Sequence, residues 1–519
     1  MNHLPILPVL VPLATAIVLL LAERRGQAWQ RRLSGLGLLA LLASAFALVE
    51  ASEHRVLVYL VGDWPARLGI ALVADRLSAL LVMAGGLLAL PALLYASSGW
   101  DREAAHFHPL FHLQLMGING AFLTGDLFNL FVFFEVMLIA SYGLLLSGGR
   151  GARMRAGLHY VVFNITASSL FLLALGLLYG MLGSLNMAEM ARRIALAPAQ
   201  DLPLIRAGAG LLLVVFCAKA ALLPLHLWLP QTYARAPAAA AALFVLLSKV
   251  GAYAVLRVYT LLFGTAAGTL AGWAWDWLLP AALATLALAT LGALAASTLR
   301  VMASYLVVAS SATLFVAFGL RNPAGVAAGL YYLLHSSAAT AGLFLLADMV
   351  RRVHADARAR GERVPLSRLR MHAALFLVLA IALAGLPPLS GFVGKLLVLE
   401  AVPPRLILPV WGVVLATSLL SLAALARAGT RTFWAGRFAT IPGQKVAHPQ
   451  HPARDEGHDP ESRRRLLAVM LLAGYGLALA AGAGPVLAHL RSVAEDVRQP
   501  SLLVDAVLQA QPRLRTPSP

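Results

Sequence analysis

The sequence predicts an all-α polytopic membrane protein of about fourteen transmembrane helices. Composition, the length of the apolar runs and the placement of charge carry that reading. Of the 519 residues, 60% are apolar and 12% are charged, with a mean hydropathy of +0.79. A soluble chain of this length needs far more polar surface to cover itself. Apolar runs of seventeen or more residues recur from Leu4 to about Leu490. A bilayer core about 30 Å thick needs roughly 20 such residues per helix.

The predicted spans cover residues 4–22, 33–50, 72–97, 107–124, 127–147, 157–181, 206–229, 237–260, 272–297, 301–320, 324–350, 371–401, 406–427 and 466–490. The first apolar stretch precedes Glu23, Arg24 and Arg25, the reverse of a cleaved signal, so a retained helix is expected. Of the 41 lysines and arginines, 25 fall in or at the edge of odd-numbered connections and 8 in or at the edge of even-numbered ones. This bias puts the odd connections in the cytoplasm and both termini on the outer side. The formal charge of +18 therefore serves topology. No basic patch is interleaved with aromatics, so nucleic acid is not an expected partner. The single cysteine, Cys217, excludes an internal disulfide and any cysteine-held cluster or zinc site.

Two connections stand apart. Arg351 to Arg370 carries seven arginines. The connection from Arg427 to Arg465 includes "AHPQHPARDEGHDPESRRR", which has no apolar period and reads as a disordered cytoplasmic loop. Its histidines have no frame to hold a metal, and no metal site is expected.

Ionisable residues inside the apolar runs point to function. The chain has four lysines against 37 arginines, and three of the four lie within spans. Lys219 sits in "LLLVVFCAKAALLP", Lys249 in "ALFVLLSKVGAY" and Lys395 in "LPPLSGFVGKLLVL". Glu135 lies in "LFNLFVFFEVMLIASYG" and His335 in "GLYYLLHSSAATAG". Each charge near the bilayer centre costs roughly 2.5–3.5 kcal/mol, so these groups must face the bundle interior, pair or meet water. Burial disfavours a charged lysine, which can lose its proton, whereas a guanidinium cannot. The set reads as a row of groups that pass protons or small cations. Competing structural roles stand beside it: a static buried pair for Glu135 and Lys219, a non-functional buried lysine for Lys249, a satisfied core histidine for His335, and an aqueous-facing lysine for Lys395. Arg257, near a helix end, is expected to snorkel. Asp75 and Asp126 sit at helix starts, where a carboxylate suits the helix dipole, and are second-rank candidates.

Two spans carry mid-membrane breakers. The seventh reads "KAALLPLHLWLPQTYARAP" and the twelfth "AGLPPLSGFVGK". Proline removes a backbone donor, tolerated in lipid only where protein or a water-filled cavity satisfies the freed groups. Matching interrupted helices in two halves point to a transport site. The breaks are five spans apart, so the matching helices run oppositely. This predicts two inverted five-helix repeats, spans 4–8 (107–260) and spans 9–13 (261–427), after N-terminal helices 1–3 (1–106). The polar loop (428–465) and a last helix with its tail (466–519) follow.

The stretch "LMGINGAFLTGDLFNLFVFFEVMLIASYGLLL", from Leu115 to Leu146, resembles the D-type subunit of Mrp multi-subunit sodium/proton antiporters. "KAALLPLHLWLPQTYARAPAAAAALFVLLSKVGAYAVLRVY" and "ALAGLPPLSGFVGKL" belong to the same pattern, and the likeness covers roughly residues 70 to 400. The Pro-Leu-His-Leu-Trp-Leu-Pro break is shared more widely, with antiporter-like subunits of respiratory complex I and membrane-bound hydrogenases. The resemblance implies a proton relay in which Glu135 tunes Lys219, Lys249 passes protons on through His335 and water, and Lys395 ends the path. It implies no catalytic residue and no cofactor. The expected partners are the other subunits of a membrane antiporter complex, H+ and Na+ (or K+ or Li+), and the bilayer of a bacterial inner membrane. Some related subunits carry a glutamate at the Lys395 position and a second histidine on the eleventh span. The competing function is a proton-pumping membrane subunit of an NADH-quinone oxidoreductase or hydrogenase complex.

Overall fold

The computed structural model describes residues 3–104, 106–149, 151–359, 366–434 and 460–512. The N-terminal part holds α1 (Leu7–Leu21), α2 (Gln27–Ser52), α3 (Arg76–Ala96) and the one-turn α4 (Trp100–Glu103). Next come α5 (Phe107–Leu123), α6 (Leu127–Leu146), α7 (Ala152–Leu182), α8 (Met187–Ala195), α9 (Leu202–Lys219), α10 (Trp228–Arg235) and α11 (Ala238–Leu261). The third stretch holds α12 (Trp273–Ala295), α13 (Leu299–Gly319), α14 (Pro323–Ala359), α15 (Leu366–Ala384), α16 (Ser390–Glu400) and α17 (Ile407–Gly429). The chain closes with α18 (Pro460–Ala481), α19 (Ala483–Val497) and α20 (Pro500–Leu508).

Among the described residues, 12 helices are long and apolar enough to cross a membrane. The protein is an all-α polytopic membrane protein. Two predicted spans fall short of that length for physical reasons. The fourth is α5, which ends after 17 residues, where the chain turns extended at Thr124. The twelfth is divided into α15 and α16 around Gly385, Pro387 and Pro388.

Burial separates the helices into an inner and an outer set. The most apolar stretches of α11 and α14 are wholly buried, whereas that of α17 is 22% buried. Large apolar side chains such as Leu36, Leu158 and Leu419 are more than half exposed. Such a surface is stable only against lipid or partner chains. The inner helices α11, α13 and α14 carry Lys249, Ser310 and His335.

One local feature escapes the periodicity. Residues Leu57–Leu60 (β1) and Ala71–Ala74 (β2) pair antiparallel, Leu57 opposite Ala74. The third helix therefore starts at Arg76, not at residue 72. Asp75 caps it by accepting from the Ser78 N–H, and the Ser78 hydroxyl accepts from the Asp75 N–H. The connection beginning at Arg351 is also largely helical, because α14 continues to Ala359. Most of the polar stretch after Arg427, with Lys445 and the loop histidines, lies outside the described residues. Its final residues, from Pro460, open α18.

Candidate functional site

The first cluster forms where α9 stops. Beyond Lys219 the chain leaves helical geometry, with Ala221 at φ +58°. The groups freed by the break find partners: Leu223 N–H donates to Thr285 Oγ1 at 2.9 Å, and Trp228 Nε1 donates to the Ala218 carbonyl at 3.0 Å. Lys219 is 4% exposed. Its Nζ donates to Ser168 Oγ at 3.2 Å and stands 3.9 Å from Glu135 Oε1. Ser168 in turn donates to Glu135 Oε1. One hydroxyl from α7 thus joins the acid of α6 to the base of α9. The ammonium also lies over the Phe134 ring, 5.7 Å from its centroid. Ser168 was not legible as a site residue; serines are ordinary in membrane helices, and only its place among three converging helices marks it.

Lys249 is fully buried, and its Nζ donates to Ser310 Oγ on α13. A second hydroxyl, Ser248 Oγ, lies at 3.5 Å. Among the described residues no carboxylate lies within 4.0 Å of this ammonium, and its hydrogen-bond partners are two hydroxyls. Gly251, two residues along, lets α11 touch the first break. A β-carbon there would lie 2.7 Å from Ala220 N and 3.0 Å from Lys219 C. The helix carrying Lys249 therefore packs directly on the residue that follows Lys219.

The second cluster surrounds the break between α15 and α16. His335 Nδ1 is 2.8 Å from Ser390 Oγ. Gly391 admits the ring, since a β-carbon there would lie 2.8 Å from His335 Nε2 and 1.8 Å from the Ala382 carbonyl oxygen. Lys395 belongs to α16, yet its Nζ folds back to the Ala384 carbonyl at 2.8 Å and to Ser418 Oγ of α17 at 2.9 Å. Ala384 ends α15 as Lys219 ends α9. Lys395 thus sits on the far side of its break in sequence but brings its ammonium to a helix C-terminus, where free carbonyls and the dipole favour a cation.

A cavity of about 20 Å³, room for about one water, joins the two centres. Ser310, Thr313, Ser336, Lys395 and Ser418 line it. It runs from the hydroxyl that holds Lys249 to the ammonium of Lys395. His335 does not line it; its ring lies 5.7 Å from that of Tyr332, which does.

The second-rank carboxylates differ in kind. Asp126 caps α6 by accepting from Asn129 N–H at 2.8 Å. Burial pushes its carboxyl up to about 6. Asp75 receives the Arg257 guanidinium at 2.6 Å. Arg257 does not snorkel: it is 8% exposed, because a buried carboxylate and the Tyr253 hydroxyl hold it inside.

Residues 124–421 match the family described as "NADH:quinone oxidoreductase/Mrp antiporter, TM", a range that contains Glu135, Lys219, Lys249, His335 and Lys395. The chain is 36% identical to a probable K+/H+ antiporter D-type subunit of Rhizobium meliloti, over 98% of each chain. It is 33% identical to the Na+/H+ antiporter D-type subunit of Alkalihalophilus pseudofirmus, over 98% of this chain and 100% of that one. Among solved structures, it superposes on a chain of the Mrp complex from Dietzia sp. with a TM-score of 0.81 at 28% identity, covering 98% of this chain and all of the other. A chain of respiratory complex I from Thermus thermophilus gives a TM-score of 0.71 at 25% identity, covering 96% of this chain and 99% of that one. The chain belongs to the NADH:quinone oxidoreductase/Mrp antiporter transmembrane family, on the branch of its D-type antiporter subunits.

Proposed function

We propose that this chain is the proton-translocating subunit of a multi-subunit monovalent cation/proton antiporter of a bacterial inner membrane. It is a transporter subunit and not an enzyme. The observation that carries the reading is the Glu135–Ser168–Lys219 bridge, set through Gly251 against the helix that holds the fully buried Lys249. A proton reaching this bridge neutralises Glu135 or loosens its hold on Lys219. Lys219 then releases its proton toward Lys249, and the hydroxyl-lined cavity beside His335 carries it to Lys395. In such a coupled set the titration belongs to the group and not to one residue.

The architecture supports two inverted units. Helices α5, α6, α7, the broken pair α9/α10, and α11 correspond in order to α12, α13, α14, the broken pair α15/α16, and α17. With α1 to α3 and α18, this makes fourteen crossings, both termini on the outer side. The buried set is rich in nitrogen bases, which suits protons better than Na+ or K+. We infer that the metal cation crosses at least partly through partner subunits.

Everted vesicles holding the assembled complex, without NADH, test this. Added Na+ or K+ collapses a preformed pH gradient under the antiporter reading. Proton pumping that appears only when NADH is supplied assigns the chain to the redox-driven branch instead.

A further inference from the structure

A charged cavity of about 500 Å³ opens beside the C-terminal end of α11. Glu53, Asp75, Arg76, Arg257 and Asp496 line it. Near its mouth Arg76 bridges two acids, with Asp496 at 3.0 Å and Glu53 at 3.7 Å. Deeper in stands the Asp75–Arg257 pair, each partner at most about a tenth exposed. Arg257 Nε also donates to Tyr253 Oη at 3.2 Å, and that hydroxyl donates to the Phe122 carbonyl at 2.7 Å.

Lys249, Tyr253 and Arg257 are spaced four residues apart on α11. Such spacing puts them on one stripe, and eight residues of helix rise about 12 Å. The stripe therefore leads from the buried lysine to the ion pair and the cavity. An ion pair at this depth is expensive to assemble and adds little net stability over an apolar pair. Its partners differ in what they can do. A carboxylate can take up and release a proton, whereas the guanidinium cannot lose one.

We propose that the Asp75–Arg257 pair is the gate between Lys249 and this vestibule, with Asp75 as the proton carrier. The proposal rests on the proton-translocating role assigned above. Vestibule water gives one proton to the Asp75 carboxylate, which becomes the neutral acid and loosens its hold on Arg257. Water beside Tyr253 carries that proton to the neutral amine of Lys249, which becomes the ammonium, and the carboxylate pairs with Arg257 again. Lys249 then releases the proton along the cavity to Lys395, in series with the relay above. The fixed guanidinium resets the gate, which explains an arginine where the relay itself uses lysines. On the charge asymmetry of the connections, this vestibule faces the outer side.

The test uses the whole complex in everted vesicles. Asp75→Asn keeps a helix cap and an acceptor for Arg257, so assembly is preserved, but the side chain cannot carry a proton. The maximal exchange rate falls at least about tenfold, with the half-saturating cation concentration unchanged, and Asp75→Glu restores most of the rate. The wild-type rate reports on the proposed function; the Asp75→Asn rate relative to it reports on the gate. Wild-type exchange in Asp75→Asn overturns the gate. Equal loss in the Asn and Glu variants overturns it too, because the pair is then structural.

Discussion

Glu135 and Lys219 stand 3.9 Å apart, with the Ser168 hydroxyl hydrogen-bonded to both. At that distance the two charges attract through a shared hydroxyl more than through direct contact, and the hydroxyl offers the shortest route for a proton between them. Ser168→Ala leaves both charges in place without the bridge. We expect assembly to persist while cation-driven exchange slows on the order of tenfold, and Ser168→Thr to restore it. Exchange rates and native electrophoresis of both variants check this.

Gly251 is where α11 meets the break after Lys219. Alanine there puts a β-carbon 2.7 Å from Ala220 N, a backbone atom that has little room to move. Overpacking of this kind costs about 1–3 kcal/mol. Gly251→Ala is predicted to lower the thermal stability of the complex and to slow exchange. Gly176, with nothing within 4 Å of its added β-carbon, is the matched control and should tolerate alanine. Melting curves of the two variants decide it.

Lys395 has two separable tasks. Its ammonium satisfies the Ala384 carbonyl at the end of α15, and on the proposed relay it also releases a proton. Removing the donor leaves a buried carbonyl unpaired, at about 1–3 kcal/mol. Lys395→Met should therefore lose both stability and exchange. Lys395→Arg keeps a donor that cannot deprotonate and should assemble stably without exchanging. Parallel thermal and transport measurements separate the two.

Asp126 gives a pH signature outside the relay. Burial raises its carboxyl to about 6 from an ordinary 3.8. Between those values folding takes up a proton, so the folded state loses stability as pH rises from 3.8 to about 6 and stays lower above. The ionised carboxylate then costs about 3 kcal/mol at neutral pH. Asp126→Asn keeps the cap without the charge. Its melting temperature should exceed that of the parent at pH 8, with the difference vanishing near pH 4.

The membrane class, the two broken helices and the buried ionisable residues are legible in the sequence because each is a local property of a short window. Apolar length, a proline inside it or a lysine inside it needs no knowledge of neighbours. Partnership is not local. Ser168 lies 33 residues from Glu135 and Ser310 lies 61 from Lys249. Asp75 lies 182 residues from Arg257, so an arginine near a helix end read as a snorkelling one. The β1–β2 ribbon was missed because four-residue apolar strands look like the start of a helix until Asp75 caps it. The cavity that links Ser310 to Lys395 exists only where six helices, α12 to α17, converge.

Lysine deprotonation at the centre of the bundle is the claim on which the mechanism stands. Lys249→Arg keeps a positive charge within reach of Ser310 but withholds the proton. In everted vesicles holding the assembled complex, this variant is expected to assemble and to fail to collapse a pH gradient on addition of Na+ or K+. Exchange at the parental rate in Lys249→Arg would contradict it, because protons would then cross without passing through this side chain.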